Sequence, residues 1–218
     1  MALITQAQAR PYLTAECYET AKTEGVLTYR GPAVVALAYG CGVREPEMLR
    51  LKRKHWRVGG EDRIKIDPDE GPPGTQRPLS FGRIVPIPEH VVKVVEEYLA
   101  RLPEQPGPDE CLIRSAEGGD VRRIELVGQM RNPGRGRDDV EERTLPSFAA
   151  AFACAMAEEE DERLAAYVIG GRPPDGSPWV KRAPPWDLVH ATFKKHSTLW
   201  KIDRSFYHAI RRRGGANR

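Results

Sequence analysis

The chain has 218 residues, of which 40% are hydrophobic and 30% charged, with a formal net charge of +3; this length suits one ordinary domain or two small ones with a packed core. The longest apolar run, residues 33–39, is too short to cross a bilayer, which argues against an integral membrane protein. Four widely separated cysteines argue against a disulfide framework and against a zinc site, so we expect an intracellular, soluble protein that needs no metal or cofactor and has no membrane partner.

Three helices are predicted before residue 55. Thr14 is a favourable N-cap, and Pro32 and Pro46 are residues that favour the first helical position. Glycines follow the first two of these segments, where they would end a helix. The predicted helical spans are residues 15–23, 33–39 and 47–54.

Two strands and a fourth helix are predicted next. The alternation of Ile64 and Ile66 predicts a strand over residues 63–67, and a loop rich in proline and glycine separates it from a second strand near residues 84–87. Apolar residues then recur at helical spacing over residues 91–99, which predicts an amphipathic helix. The expected order is therefore three helices, two strands and a helix.

The remainder of the chain differs from this first part in composition. Residues 138–163 carry nine acids against two bases, whereas residues 172–218 carry eleven bases against three acids. This asymmetry indicates a basic surface that faces a polyanion, although two ordinary solvated surfaces would give the same pattern. Asp203 is the predicted N-cap of a C-terminal helix that ends near residue 213. With the proline-rich linker at 103–108, we expect one domain with a C-terminal extension, divided into residues 1–102, 103–172 and 173–218.

Residues 42–49, Gly-Val-Arg-Glu-Pro-Glu-Met-Leu, combine a tight glycine turn with an arginine and, three positions later, a glutamate. They resemble the first catalytic box of the tyrosine recombinase (phage integrase) family, Gly-Leu-Arg-x-x-Glu-Leu. Residues 83–87, Arg-Ile-Val-Pro-Ile, resemble the Arg-x-Val-Pro-Leu sequence that ends a strand in that family. The resemblance covers residues 13–102. It implies an α+β fold, mainly α-helical with a small antiparallel sheet, like that of the recombinase catalytic domain.

The resemblance also implies a chemistry. The family moves a DNA phosphodiester onto a tyrosine hydroxyl and back, without metal or cofactor. By resemblance, Arg44 would hold the scissile phosphate and Glu47 would orient Arg44; a purely structural ion pair is the alternative. Such a reaction needs two arginines for the charge of the transition state, a proton donor for the leaving oxygen and a tyrosine nucleophile. Lys65 and Arg77 are the candidates for the family's strand lysine.

The family's second box, Thr-Pro-His-x-Leu-Arg-His-Thr-Phe-Ala, can be aligned with this chain in two registers. In the first register, over residues 143–154, Pro146 stands at the histidine position and Ala149 at the arginine position. Residues 167–171 then resemble the family's Leu-Leu-Gly-His, with Gly171 in place of its histidine.

The second register, over residues 184–193, has Trp186 at the histidine position and Val189 at the arginine position. It offers His190 as a catalytic acid or base and Tyr207 as the nucleophile. Both registers lack the second arginine, and losing one such donor costs on the order of a hundredfold in rate. We therefore predict a catalytically degenerate recombinase-like protein that binds DNA in integration, recombination or the regulation of a mobile element. The alternatives are an active recombinase with displaced residues, and a helical module that binds protein or RNA.

The expected partner is double-stranded DNA, whose phosphates basic side chains neutralise. The family's C-terminal helix also implies self-association or a recombinase partner. The basic residues predicted to contact DNA are Arg44, Arg53, Lys54, Arg77, Arg83, Arg135, Arg137, Lys181, Arg182, Lys194, Lys195, Lys201, Arg204, Arg211, Arg212 and Arg213.

Overall fold

The computed structural model describes residues 4–14, 26–68, 81–115, 117–126, 143–157, 162–170 and 183–200. The α-helices are α1 (Gln6–Ala9), α2 (Val26–Cys41), α3 (Glu45–Met48), α4 (Glu89–Leu99), α5 (Leu145–Ala157), α6 (Glu162–Val168) and α7 (Trp186–His196). The strands are β1 (Arg63–Ile66) and β2 (Arg83–Pro86), and short 3-10 helices lie at Arg10–Leu13, Arg53–His55 and Val58–Gly60. The predicted α+β fold, mainly helical with a small sheet, is confirmed. The predicted helices at 15–23 and 203–213 lie outside the described residues.

Helix α2 forms the centre of the hydrophobic core. All side chains of residues 33–39 are buried, and the helix packs against α4 and α5. It is longer than the sequence predicts, because it begins at Val26 and contains Pro32 instead of starting there. A proline inside a helix removes one backbone hydrogen bond. Burial of the apolar segment that follows outweighs this cost.

The predicted helix over residues 47–54 is wrong beyond its first turn. Helix α3 has four residues, and the chain then turns into a 3-10 helix at Arg53–His55. The reason is a competing partner for the backbone. Leu112 donates its N–H to the carbonyl of Leu51 at 2.7 Å, and Arg53 donates to the carbonyl of Glu110 at 2.9 Å. A helix through this segment would need the same backbone groups for its own hydrogen bonds.

The two strands form an antiparallel pair in which Arg63 faces Pro86 and Ile66 faces Arg83. Ile64 and Ile66 are buried while Lys65 between them is exposed, as period-two alternation requires. Helix α4 follows directly and buries one apolar side. Both strands and this helix confirm the sequence-based prediction.

The second half of the chain contributes to the same core. Phe148 on α5 makes edge contacts with Tyr12 and Tyr39, at ring-centroid distances of 5.1 and 5.8 Å. Phe152, one turn later, packs on Phe193 of α7 at 5.5 Å. One hydrophobic cluster thus includes residues from both sides of the predicted linker. The boundaries at residues 102 and 172 stay a prediction.

In the described part of the chain, no helix has the length and apolar character needed to cross a membrane.

Candidate functional site

Arg44 lies at the N-cap of α3, directly after the turn that ends α2. Gly42 in this turn has φ of +65°, a left-handed conformation that favours glycine. A Cβ atom at Gly42 would also overlap the ring of Phe152. Val43 is fully buried, and the Arg44 side chain remains 39% exposed. The glycine turn therefore holds the backbone against the core while presenting one arginine to solvent.

Glu47 holds Arg44 through both its carboxylate oxygens. Oε2 accepts the backbone N–H of Arg44 at 2.9 Å, and Oε1 accepts Nη2 of Arg44 at 3.0 Å. The backbone contact is half of a capping box, in which an acid at the third helical position satisfies the N-cap N–H. The Glu47 side chain is only 1% exposed, so its position is fixed by packing. This geometry places Glu47 to orient the Arg44 guanidinium; a catalytic role for either residue stays a prediction.

Arg83 lies behind this pair, and its side chain is 0% exposed. Its Nη1 and Nη2 donate to the two oxygens of Glu47 at 2.8 and 3.1 Å, which is a bidentate geometry. Nη2 also donates to the carbonyl of Gly42 at 3.1 Å, and Nε donates to the carbonyl of Val168 at 2.9 Å. The prediction that Arg83 contacts DNA is not compatible with this position. Its charge is used inside the protein to join the glycine turn, α3 and the end of α6.

Gly170 completes the buried network from the other side. Its φ is +68°, and a Cβ atom there would overlap the Arg83 guanidinium and lie 3.3 Å from Oε1 of Glu47. Its carbonyl accepts the backbone N–H of Phe81 at 3.3 Å. Residues 167–170 belong to the segment that resembles the family's Leu-Leu-Gly-His sequence. The structure thus places this segment against the Arg83–Glu47 pair; Gly171 lies outside the described residues.

The network determines the charge state of Glu47. Burial alone would raise the pKa of this carboxyl, but hydrogen bonds from Arg83 and Arg44 and the charge of Arg83 outweigh burial. The resulting pKa is about 2, below the usual value of 4.5. Glu47 is therefore a carboxylate at neutral pH, and it can hold both arginines.

The first register of the second box lies next to this site. Helix α5 packs on the glycine turn through Phe152, and Ala149 is on the same helix three residues earlier, which is one turn away. Ala149 is half-buried and Pro146 is exposed. Neither side chain offers a donor for a phosphate oxygen.

The second register lies on α7. His190 is half-buried, with its ring 6.1 Å from that of Trp186 and 5.2 Å from that of Trp200. Val189, at the arginine position, is buried. The aromatic contacts account for the position of His190 in the fold, and its catalytic role stays a prediction.

Four further predicted DNA contacts are described by the structure. Arg53 is half-buried in its 3-10 helix, and Lys54 is exposed with Nζ 2.5 Å from a carboxylate oxygen of Asp109. Lys194 and Lys195 are exposed near the end of α7. The predicted residues that lie outside the described part are Arg77, Arg135, Arg137, Lys181, Arg182, Lys201, Arg204, Tyr207, Arg211, Arg212 and Arg213.

The structural role of Arg83 was not visible in the sequence. An arginine at the start of a short strand is usually exposed, and nothing near it in sequence supplies its acid. No local pattern gives this role, because both contacts, Glu47 in the first box and Gly170 in the Leu-Leu-Gly-His-like segment, come from distant parts of the chain.

Known proteins similar in sequence to this chain include tyrosine recombinases. No family model matches the chain. A tyrosine recombinase XerC of Nitrobacter winogradskyi is 32% identical over 100 residues, covering 45% of this chain and 29% of the relative. A tyrosine recombinase XerC of Methylobacterium sp. is 38% identical over 95 residues, covering 42% of this chain and 26% of the relative. The match therefore spans less than a third of the length of each relative.

Solved structures resemble the fold over almost the whole chain. XerA recombinase gives a TM-score of 0.56 at 16% identity, covering 100% of this chain and 65% of that one. The integrase from mycobacterium phage Brujita gives 0.58 at 14% identity, covering 96% and 63%. The Tn1549 transposon integrase in complex with transposon right end DNA gives 0.56 at 13% identity, covering 99% and 66%. Together with the boxes around Arg44 and Arg83, these similarities identify the chain as a tyrosine recombinase-like domain.

Proposed function

We propose that this domain binds duplex DNA through a surface centred on Arg44 and does not cleave it, serving DNA integration, recombination or the regulation of a mobile element. The observation that carries the proposal is the partly exposed Arg44 side chain, 39% exposed, held by the buried carboxylate of Glu47. An arginine already held in place loses less side-chain entropy when it meets an anion. Arg44 is therefore suited to contact a phosphate.

The nature of the anion is supported by the relatives. Structures similar in fold were solved as complexes with DNA, including XerH bound to its difH substrate and the Tn1549 integrase bound to transposon right end DNA. Each of these structures resembles this chain in fold and contains DNA. A phosphate of duplex DNA is accordingly the proposed partner of Arg44.

The absence of cleavage is supported by the residues of the second box. Strand transfer needs the nucleophile, the phosphate and both cationic donors within a few ångströms of one another. In the first register, whose helix α5 packs on the turn before Arg44 through Phe152, Ala149 and Pro146 stand at the arginine and histidine positions. An alanine methyl group cannot replace a bidentate guanidinium. The proposed domain therefore binds DNA without cleaving it.

Binding is tested by titrating a mixed-sequence duplex at several salt concentrations with the wild type and Arg44→Ala. Arg44→Ala is expected to weaken binding about tenfold and to lower the magnitude of the log–log salt slope by about 0.9, since one phosphate contact is lost. Lys93→Ala is the matched control, because Lys93 is an exposed cation on α4 that pairs with Glu89 at 2.6 Å. Equal effects of the two variants would reject the Arg44 surface. Salt-independent binding would instead favour a protein-interaction module.

A further inference from the structure

Lys52 and Lys54 share one acid. Nζ of Lys54 lies 2.5 Å from Oδ1 of Asp109, and Nζ of Lys52 lies 3.9 Å from the same oxygen atom. Because both distances end on one atom, the two ammonium groups are no farther apart than the two distances combined. Within the described part of the chain, Asp109 is the only acid in ion-pair range of either lysine. One carboxylate oxygen is thus the common partner of two cations.

The backbone that carries the two lysines is held by a distant segment. The N–H of Lys54 donates to the carbonyl of Pro108 at 2.9 Å, and Lys52 forms an antiparallel bridge with Cys111. Trp56, two residues after Lys54, is buried. These contacts fix the chain around the lysines, so a ligand meets their ammonium groups on a preformed backbone.

Asp109 is held less firmly than the backbone of the lysines. Its side chain is 75% exposed, whereas those of Lys52 and Lys54 are 42% and 47% exposed. The hydrogen bond and the charge of Lys54, together with the charge of Lys52, hold the pKa of Asp109 below its usual value. Asp109 is therefore ionised at neutral pH, yet an exposed ion pair of this kind contributes little to stability. The carboxylate is an anion that the lysines can exchange for another.

A DNA phosphate offers the two lysines the same chemistry. It carries one negative charge on oxygens that accept hydrogen bonds, and each ammonium group has three N–H donors. Binding of a lysine to DNA also releases condensed counterions, a gain that an isolated carboxylate does not give. A phosphate oxygen is therefore able to replace Oδ1 of Asp109 at both ammonium groups.

We propose that Lys52 and Lys54 together bind one phosphate of duplex DNA, and that Asp109 occupies this phosphate site in the free protein. This inference rests on the proposed DNA binding and adds a phosphate site made of residues other than Arg44 and Glu47. Asp109 lowers the affinity for DNA, because the lysines must release its carboxylate before they bind the phosphate.

The first test replaces the acid in the full chain and uses the same mixed-sequence duplex. Asp109→Asn removes the competing charge and is expected to lower the Kd roughly two- to fivefold, the factor that corresponds to an exposed ion pair. Asp62→Asn is the matched control, because Asp62 is an exposed aspartate whose Oδ1 pairs with Nε of Arg57 at 2.9 Å. It changes the net charge equally, and its Kd should stay within about 1.5-fold of the wild-type value, since charges that make no contact are screened by salt.

The second test removes the lysines. Lys52→Ala/Lys54→Ala deletes both donors of the site, so it should raise the Kd and lower the magnitude of the log–log salt slope by about 0.9, as expected for one lost phosphate. Each single variant retains one ammonium group for that phosphate and should keep a slope close to that of the wild type. A fall of about 0.9 in each single variant would mean two separate phosphates and would contradict the shared site.

A third variant tests whether the acid and the lysines act at the same site. In Lys52→Ala/Lys54→Ala/Asp109→Asn, the acid no longer competes for any lysine, so replacing Asp109 should not lower the Kd relative to the double lysine variant. An equal gain with and without the lysines would show that Asp109 repels DNA by its charge alone, and would overturn the proposal.

The outcomes also separate this inference from the function on which it rests. If the wild type binds duplex DNA and Arg44→Ala weakens binding, but Asp109→Asn equals Asp62→Asn or the double lysine variant keeps the wild-type slope, the inference on the lysines is wrong and the proposed function stands. If the wild type does not bind duplex DNA, both are wrong.

Discussion

At the scale of single residues, the site is organised by one carboxylate. Glu47 binds an exposed arginine on one side and a buried arginine on the other, so one group connects the surface to the core. The sequence allowed Arg44 and Glu47 to be predicted because they stand three positions apart in a recognisable box. It did not allow the role of Arg83 to be predicted. Strand periodicity gives the side of the sheet that a residue faces, but it does not identify the acid that pairs with that residue.

Removing the buried arginine should destabilise the fold far more than removing an exposed cation from the same sheet. Arg83→Ala leaves the carboxylate of Glu47 buried without its bidentate partner, and breaking such a pair costs about 3 to 5 kcal/mol. Lys65→Ala is the control, because Lys65 on β1 is exposed and pairs with Asp67 at 3.1 Å, a kind of surface pair that contributes about 0 to 1 kcal/mol. Urea unfolding of both variants measures the difference; equal midpoints would contradict the buried network.

Protonation of Glu47 should weaken the fold in acid. The pKa of this carboxyl is lowered in the folded protein to about 2 from a usual value of 4.5. Because folding lowers this pKa, the charged form of Glu47 stabilises the folded protein fully at pH values above the unfolded-state pKa. This stabilisation is lost as the pH falls from the unfolded-state pKa toward the folded-state pKa. A carboxyl titration of the folded protein by NMR should therefore place the Glu47 midpoint near the lower value. A midpoint near the ordinary glutamate value would show that Arg83 and Arg44 do not hold the charged form.

At the scale of elements, short-range patterns were sufficient for β1, β2 and α4, whose amphipathic spacing is complete within each segment. They failed at α3, because the backbone after Met48 pairs with residues 110–112 from a distant part of the chain. They also could not show that the segment ending at Gly170 closes over Arg83. Contacts between distant segments determine these features, and no local periodicity encodes them.

The close approach of Gly170 to Arg83 predicts an unusually costly glycine replacement. Gly170→Ala would place an alanine in a left-handed backbone conformation, and its methyl group would also overlap the Arg83 guanidinium. Gly118→Ala is the matched control, since Gly118 has φ of +84° but no atom within 4 Å of a Cβ there. Gly118→Ala should cost about 1 to 2 kcal/mol for the backbone alone. Gly170→Ala should cost about 1 to 3 kcal/mol more because of the overlap, measured by thermal or urea unfolding. Equal losses would contradict the packing described for this segment.

At the scale of the whole molecule, the fold resembles that of tyrosine recombinases, and the proposal of binding without cleavage depends on how the two boxes align with this chain. The first box is complete, with Arg44 exposed and Glu47 behind it. In the first register of the second box, Ala149 and Pro146 are predicted to stand where donors are needed. On this alignment, the proposed role is DNA binding without strand transfer.

The measurement that tests this account most directly uses a nicked suicide duplex, on which a tyrosine recombinase becomes trapped as a covalent adduct. The wild type should form a complex that high salt dissociates completely, with no DNA-linked protein on a denaturing gel. Arg44→Ala should weaken that complex, and Tyr207→Phe should leave it unchanged. A covalent protein–DNA adduct that forms with the wild type and disappears in Tyr207→Phe would contradict the account and establish an active recombinase.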